Sequence, residues 1–89
     1  MPIPQPWFRT SEDYEAIRHL VTDEPQFFDT FEEWLNAADK RFETFNVKGI
    51  AVRKLFVDPQ EFTAWCSATN VSYNHASFLA FVIAASTKQ

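Results

Sequence analysis

Cys66 is the chain's one cysteine, and His19 and His75 are its two histidines. A thiol beside an imidazole can make a nucleophile and its base. An activated thiolate, however, needs a helix N-terminus or a cation beside it. Cys66 lies instead two turns into a helical pattern, between Trp65 and Ser67 on an apolar stripe. Free cysteine is among the most buried residue types, so the position reads as packing. A lone cysteine also excludes an intramolecular disulfide and a cysteine-based zinc site, and it suits a reducing compartment. His19 and Asp23, four residues apart, can share a metal only with third and fourth ligands that the surrounding sequence does not supply. They read as a surface pair at a helix end. Glu32-Glu33 and Asp39 with Glu43 include carboxylates at helical spacing, but catalytic carboxylate pairs need a cleft that separates their pKa values. A solvated helix face is the simpler reading. No catalytic residue, metal or other cofactor is expected, and the chain does not read as an enzyme.

The segment 40–54 holds Lys40, Arg41, Lys48, Arg53 and Lys54 against Glu43 alone, with Phe42 and Phe45 between them and Phe56 just beyond. A basic strip interleaved with aromatics can hold single-stranded nucleic acid or another anion. Lys48, Arg53 and Lys54 are the residues such a site would use. Against it, the three phenylalanines also fit core-facing positions, and cations toward a helix C-terminus suit its dipole.

These residues belong to a chain of 89 residues and 10.4 kDa, the size of one small domain. Apolar residues at 46% and charged residues at 22% make a folding composition. Ten Phe, three Trp and two Tyr supply a ring-rich core, which buries much area per residue ordered. The single glycine argues against dinucleotide-binding and phosphate-cradling loops. The net charge of -4 and pI near 5.0 count against general nucleic-acid binding. Residues 1–45 carry four basic and ten acidic side chains, and residues 46–89 carry four and two. The beginning MPIPQPWF has neither the positive flank nor the apolar run of a signal peptide. The longest apolar stretch, Phe78 to Ala85, is far short of the roughly 18–20 residues that span a bilayer. A cytoplasmic protein is expected, with no membrane partner, and the Asn70-Val71-Ser72 sequon reads as incidental.

Pro2, Pro4 and Pro6 alternate with Ile3, Gln5 and Trp7. Successive N–H groups of a strand point to opposite edges, so alternate prolines blank one edge and leave the other able to pair. Residues 1–9 therefore form either an edge strand or a proline-rich arm of the single domain 1–89. Thr10 with Asp13 and Thr30 with Glu33 mark two helix starts. Phe31, Trp34, Leu35, Ala38, Phe42 and Phe45 line one face of the second helix, which closes at Asn46 to Gly49. Residues 50–57 (IAVRKLFV) read as a strand. Asp58-Pro59-Gln60-Glu61 combines an N-cap, a proline at the first helical position and an early acid. Phe62, Trp65, Cys66 and Thr69 follow on its buried stripe. A last helix over 75–87 is apolar almost all round, and so is central or lies in an interface.

Shifted by 48 residues, Phe8 falls on Phe56 and Ala16 on Ala64, so the order can be read as two β-α-α units. The expected fold is α+β in β-α-α-β-α-α order, with four helices on a minimal two-stranded sheet of residues 2–9 and 50–57. Because two helices separate the strands, the expectation is an antiparallel pair.

Val57-Asp58-Pro59-Gln60-Glu61-Phe62-Thr63-Ala64-Trp65-Cys66 resembles a motif of a group of small uncharacterised bacterial proteins. That group combines an Asp-Pro-x-Glu-Phe-x-x-Trp-Cys helix with a Tyr-bearing first helix (here Tyr14), a Trp-bearing second (Trp34) and a Gly before a strand (Gly49). The resemblance spans most of residues 7–80. It implies a compact bacterial cytoplasmic protein and brings no activity or site residue with it. Where the group has a basic residue near the start of the last helix, this chain has Asn74-His75-Ala76. The functional expectation is a non-catalytic protein–protein interaction module acting as a homodimer or on another protein. The alternative is a weak anion or single-stranded nucleic-acid binder through residues 40–54.

Overall fold

The computed structural model describes residues 2–87. Its elements are strand β1 (Ile3–Trp7), helices α1 (Ser11–Leu20) and α2 (Phe31–Val47), strand β2 (Val52–Phe56), and helices α3 (Pro59–Thr69) and α4 (His75–Ser86). Each helix starts at a side-chain cap. Thr10 accepts from the Asp13 N–H, Thr30 from Glu33, Asp58 from Gln60 and Asn74 from Ser77. These bonds satisfy donors that the helix itself leaves without partners. Two helix ends need a left-handed residue. Gly49 at φ +76° lets the Ile50 N–H reach back to the Phe45 carbonyl at 2.9 Å. Asn70 at φ 59° does the same for Val71 and Cys66 at 3.0 Å.

The two strands are parallel, with Ile3 opposite Val52 and Trp7 opposite Phe56, which corrects the antiparallel expectation. Counting one chain reversal per helix fails because α1 and the connector 21–30 form an excursion that comes back to where it began. The first turns of α1 and α2 lie side by side, Arg9, Thr10 and Glu12 sharing one groove with Thr30, Phe31 and Leu35. Trp34, near the start of α2, packs on Phe8 at 5.0 Å and on Tyr14 at 5.6 Å. α2 thus begins at the far end of β1 and alone returns the chain to β1's start, where β2 leaves in β1's direction. Both strands then deliver their helices at the same end of the sheet. The strands are also shorter than the expected 2–9 and 50–57. Phe8 is buried while Phe56 is 43% exposed, so the residues that the 48-residue shift equates occupy different environments.

Helices cover both faces of the sheet. Trp7 meets Trp34 and Phe42 of α2 on one face, and Arg53 reaches the last turn of α4 on the other. A run of ring edges, Tyr14–Phe8–Phe27–Phe78–Phe62–Phe81–Trp65, threads the core from α1 to the α3–α4 pair, with centroid separations between 5.4 and 6.1 Å. Each such pair contributes about 0.5–1.5 kcal/mol beyond burial. The Tyr14 hydroxyl fastens the connector. It donates to the Phe28 carbonyl at 2.5 Å and accepts from the Phe28 N–H at 2.7 Å. Burial pushes its phenol above the ordinary range, against the opposite pull of the Phe28 hydrogen bond. Gln5 is buried on the face it shares with Trp7, and its side-chain amide has no hydrogen-bond partner among the described residues. Among the described residues no helix is long and apolar enough to cross a membrane.

Tyr14→Phe leaves both backbone groups of Phe28 without their partner and lowers stability by about 2 kcal/mol in chemical denaturation. Because the folded-state pKa of Tyr14 is raised, its contribution is complete below the ordinary phenol pKa of about 10 and is lost as pH rises through the folded value. The wild-type midpoint therefore falls above that pH more steeply than the variant's. Gln5→Met removes two buried polar atoms at similar volume and raises the thermal midpoint by about 4–8 °C, equivalent to about 1 kcal/mol; a lower midpoint would show that the amide is satisfied.

Candidate interaction surface

The residues singled out for anion binding do not converge. Lys48 caps the C-terminus of α2 and is exposed. Arg53 and Lys54, adjacent on β2, project from opposite faces of the sheet. Arg53 donates to the Ser86 carbonyl at 3.2 Å, satisfying an acceptor at the end of α4. Lys54 leans back over β1, its Nζ 4.2 Å from the Trp7 ring centre and 5.0 Å from that of Phe42. Arg41 is drawn off to the connector, where it donates to the Gln26 side chain at 2.7 Å.

Nor are the candidate catalytic and metal groups assembled. Cys66 is buried, and that burial raises its thiol above the ordinary range. His19 turns back on its own helix, its Nδ1 2.7 Å from the Glu15 carbonyl, and Asp23 is engaged elsewhere. A hydrogen bond from Arg18 holds the Glu15 carboxyl below the ordinary range. Glu33 completes the cap at Thr30. Among the described residues no group of three His, Cys, Asp or Glu side chains is placed to hold a metal.

The sheet edge is where the fold leaves backbone chemistry unspent. Ile3 donates to the Ala51 carbonyl and Val57 to the Trp7 carbonyl, both at 2.9 Å. In a parallel ladder these two bonds fix the phase: residues 3, 5 and 7 of β1 bond the odd-numbered residues of β2. The outer edge of β1 is then the edge of Pro4 and Pro6, which have no N–H to offer. The outer edge of β2 carries the N–H and C=O groups of Val52, Lys54 and Phe56, and no described strand pairs with them. Ile50 and Phe56 add exposed apolar surface along this strand, with Arg9 4.8 Å over the Phe56 ring. A second apolar surface lies on α4, which buries Phe78, Phe81 and Val82 and turns Ala76, Leu79, Ala80 and Ile83 outward.

One polar cluster has no counterpart in the sequence reading. Glu24 Oε2 lies 2.5 Å from His75 Nδ1, and Asp23 accepts the His75 backbone N–H at 2.7 Å. These contacts join residues more than fifty positions apart, and no local spacing signals them. The chain matches no family model, no curated protein and no solved structure.

A buried thiol of raised pKa reacts slowly. Cys66 is expected to resist alkylation by iodoacetamide at pH 8 in the native protein and to react at the free-thiol rate in denaturant, as mass spectrometry would record. Rapid native-state labelling would place the thiol at an accessible site.

Proposed function

We propose that this protein is a non-catalytic protein–protein interaction module of the cytoplasm that self-associates through the outer edge of β2. The observation that carries the reading is the unpaired row of backbone groups at Val52, Lys54 and Phe56 beside an opposite edge closed by proline. Helices already support the two strands on their faces; a second strand pair would satisfy the backbone groups that the helices leave open at the edge. The occupant proposed is β2 of a second copy, giving the strand order β1-β2-β2-β1 about a two-fold axis. Only one edge of each copy can pair, so the assembly closes as a dimer and does not run on as a filament.

Charges on an edge strand ordinarily discourage such pairing. Here Arg53 is spent on the Ser86 carbonyl and Lys54 lies back over Trp7, leaving Val52 and Phe56 to meet the partner. The module reading also agrees with the scattered placement of Lys48, Arg53 and Lys54, which offers no common anion-binding point.

Light scattering at micromolar concentration is expected to give about twice 10.4 kDa, and a mass near 10.4 kDa would overturn the proposal. Val52→Pro removes an outward N–H and spares the β1–β2 ladder, so it is expected to weaken the dimer about tenfold or more while the monomer stays folded. A dimer that tolerates this proline would exclude the strand edge as its interface.

A further inference from the structure

The connector 21–30 crosses the N-terminal end of α4 and closes a small chamber against α2. Its polar wall is built as a relay. Glu24, whose side chain is 5% exposed, sets one carboxylate oxygen against His75 Nδ1 and accepts the Gln26 N–H on the other at 3.1 Å. Gln26 in turn accepts from Arg41 at 2.7 Å. The remaining lining is apolar: Pro6 and Phe27, the edges of the almost fully buried Trp34 and Phe78, and Leu79 at the rim. The cavity holds about 180 Å³. That is roughly six times the volume share of a water molecule, room for one ring with a small head group.

The charges in this wall are unevenly satisfied. Both oxygens of Glu24 have partners. Arg41 has no ion pair among the described residues, and its recorded hydrogen bond goes to a neutral amide. A guanidinium offers five N–H donors in a planar fork suited to a carboxylate. A half-buried cation with spare donors, facing a ring-lined space, selects an anion with a flat apolar body. Glu24 shares the wall as a like charge for such an anion, but both of its oxygens are engaged, by His75 and the Gln26 N–H. A quaternary ammonium, which aromatic cages also attract, would meet the less engaged Arg41 as a like charge.

We propose that this chamber is a binding site for a small aromatic carboxylate, with the carboxylate on Arg41 and the ring against Trp34, Phe27 and Phe78. The site is separate from the β2 edge, so dimerisation and ligand binding stand or fall independently. Titrating benzoate into the ¹⁵N-labelled protein is expected to shift the Trp34 indole N–H, the Arg41 Nε–H and the His75 amide saturably, with a dissociation constant on the order of 1 mM. Benzamide lacks the charge and acetate lacks the ring; each is expected to bind about tenfold more weakly or worse. Arg41→Gln removes the cation, and Leu79→Trp fills the chamber from its exposed rim without disturbing the buried rings. Both are expected to lose benzoate by a similar factor while the thermal midpoint stays near wild type. The proposal is overturned by an absence of saturable shifts at ~10 mM benzoate. Equal binding of benzamide or acetate, or unchanged affinity in both variants, would overturn it as well.

Discussion

The indole of Trp34 stands edge-on to Trp7 and Phe8 and tilted against Tyr14, so one ring joins β1, the β1–α1 junction, α1 and α2. This contact holds the start of α2 at the end of β1. Once it is made, the rest of the topology is constrained. A helix of 17 residues rises about 25 Å, enough to return the chain past the whole of a five-residue strand. β2 must then start beside Ile3 and run with β1. The parallel sheet, the common delivery end of both strands and the layering of α2 and α4 on opposite faces follow from where that one ring sits.

The connector depends on the same cluster. Tyr14 contacts Trp34 with its ring and ties Phe28 with its hydroxyl, so the residues between α1 and α2 are held against the core. Held there, the connector can serve α4 at a distance: Asp23 caps the His75 N–H and Glu24 engages its imidazole. A helix with no Asp, Glu, Lys or Arg of its own thus receives carboxylates at its N-terminus, where they complement the dipole. At the other end Arg53 from β2 meets the Ser86 carbonyl. α4 borrows its terminal charges from other elements, at one end from the connector between α1 and α2 and at the other from β2.

Edge protection divides unequally between the two strands. Pro4 and Pro6 close β1 by covalent structure, independent of what surrounds them. β2 carries two cations in its sequence, but the fold assigns both of them elsewhere, one to a helix end and one to a pair of aromatic rings. Where the side chains of such charged residues are drawn therefore bears on how far they can guard an edge strand.

What the chain determined by itself is local. Thr10, Thr30 and Asp58 start helices because a side-chain oxygen three or fewer residues away satisfies a donor, and Gly49 ends one because it tolerates a positive φ. Alternating prolines at 4 and 6 dictate which edge of β1 can pair, whatever the pairing partner. The burial of Cys66 likewise follows from its place on an apolar stripe. Strand direction, the separation of Arg53 from Lys54 and Lys48, and the chamber built by Glu24, His75 and Arg41 were decided only by tertiary structure. Each depends on contacts between residues far apart in the chain, where the net balance of packing, charge and chain entropy selects among arrangements that local spacing leaves equal.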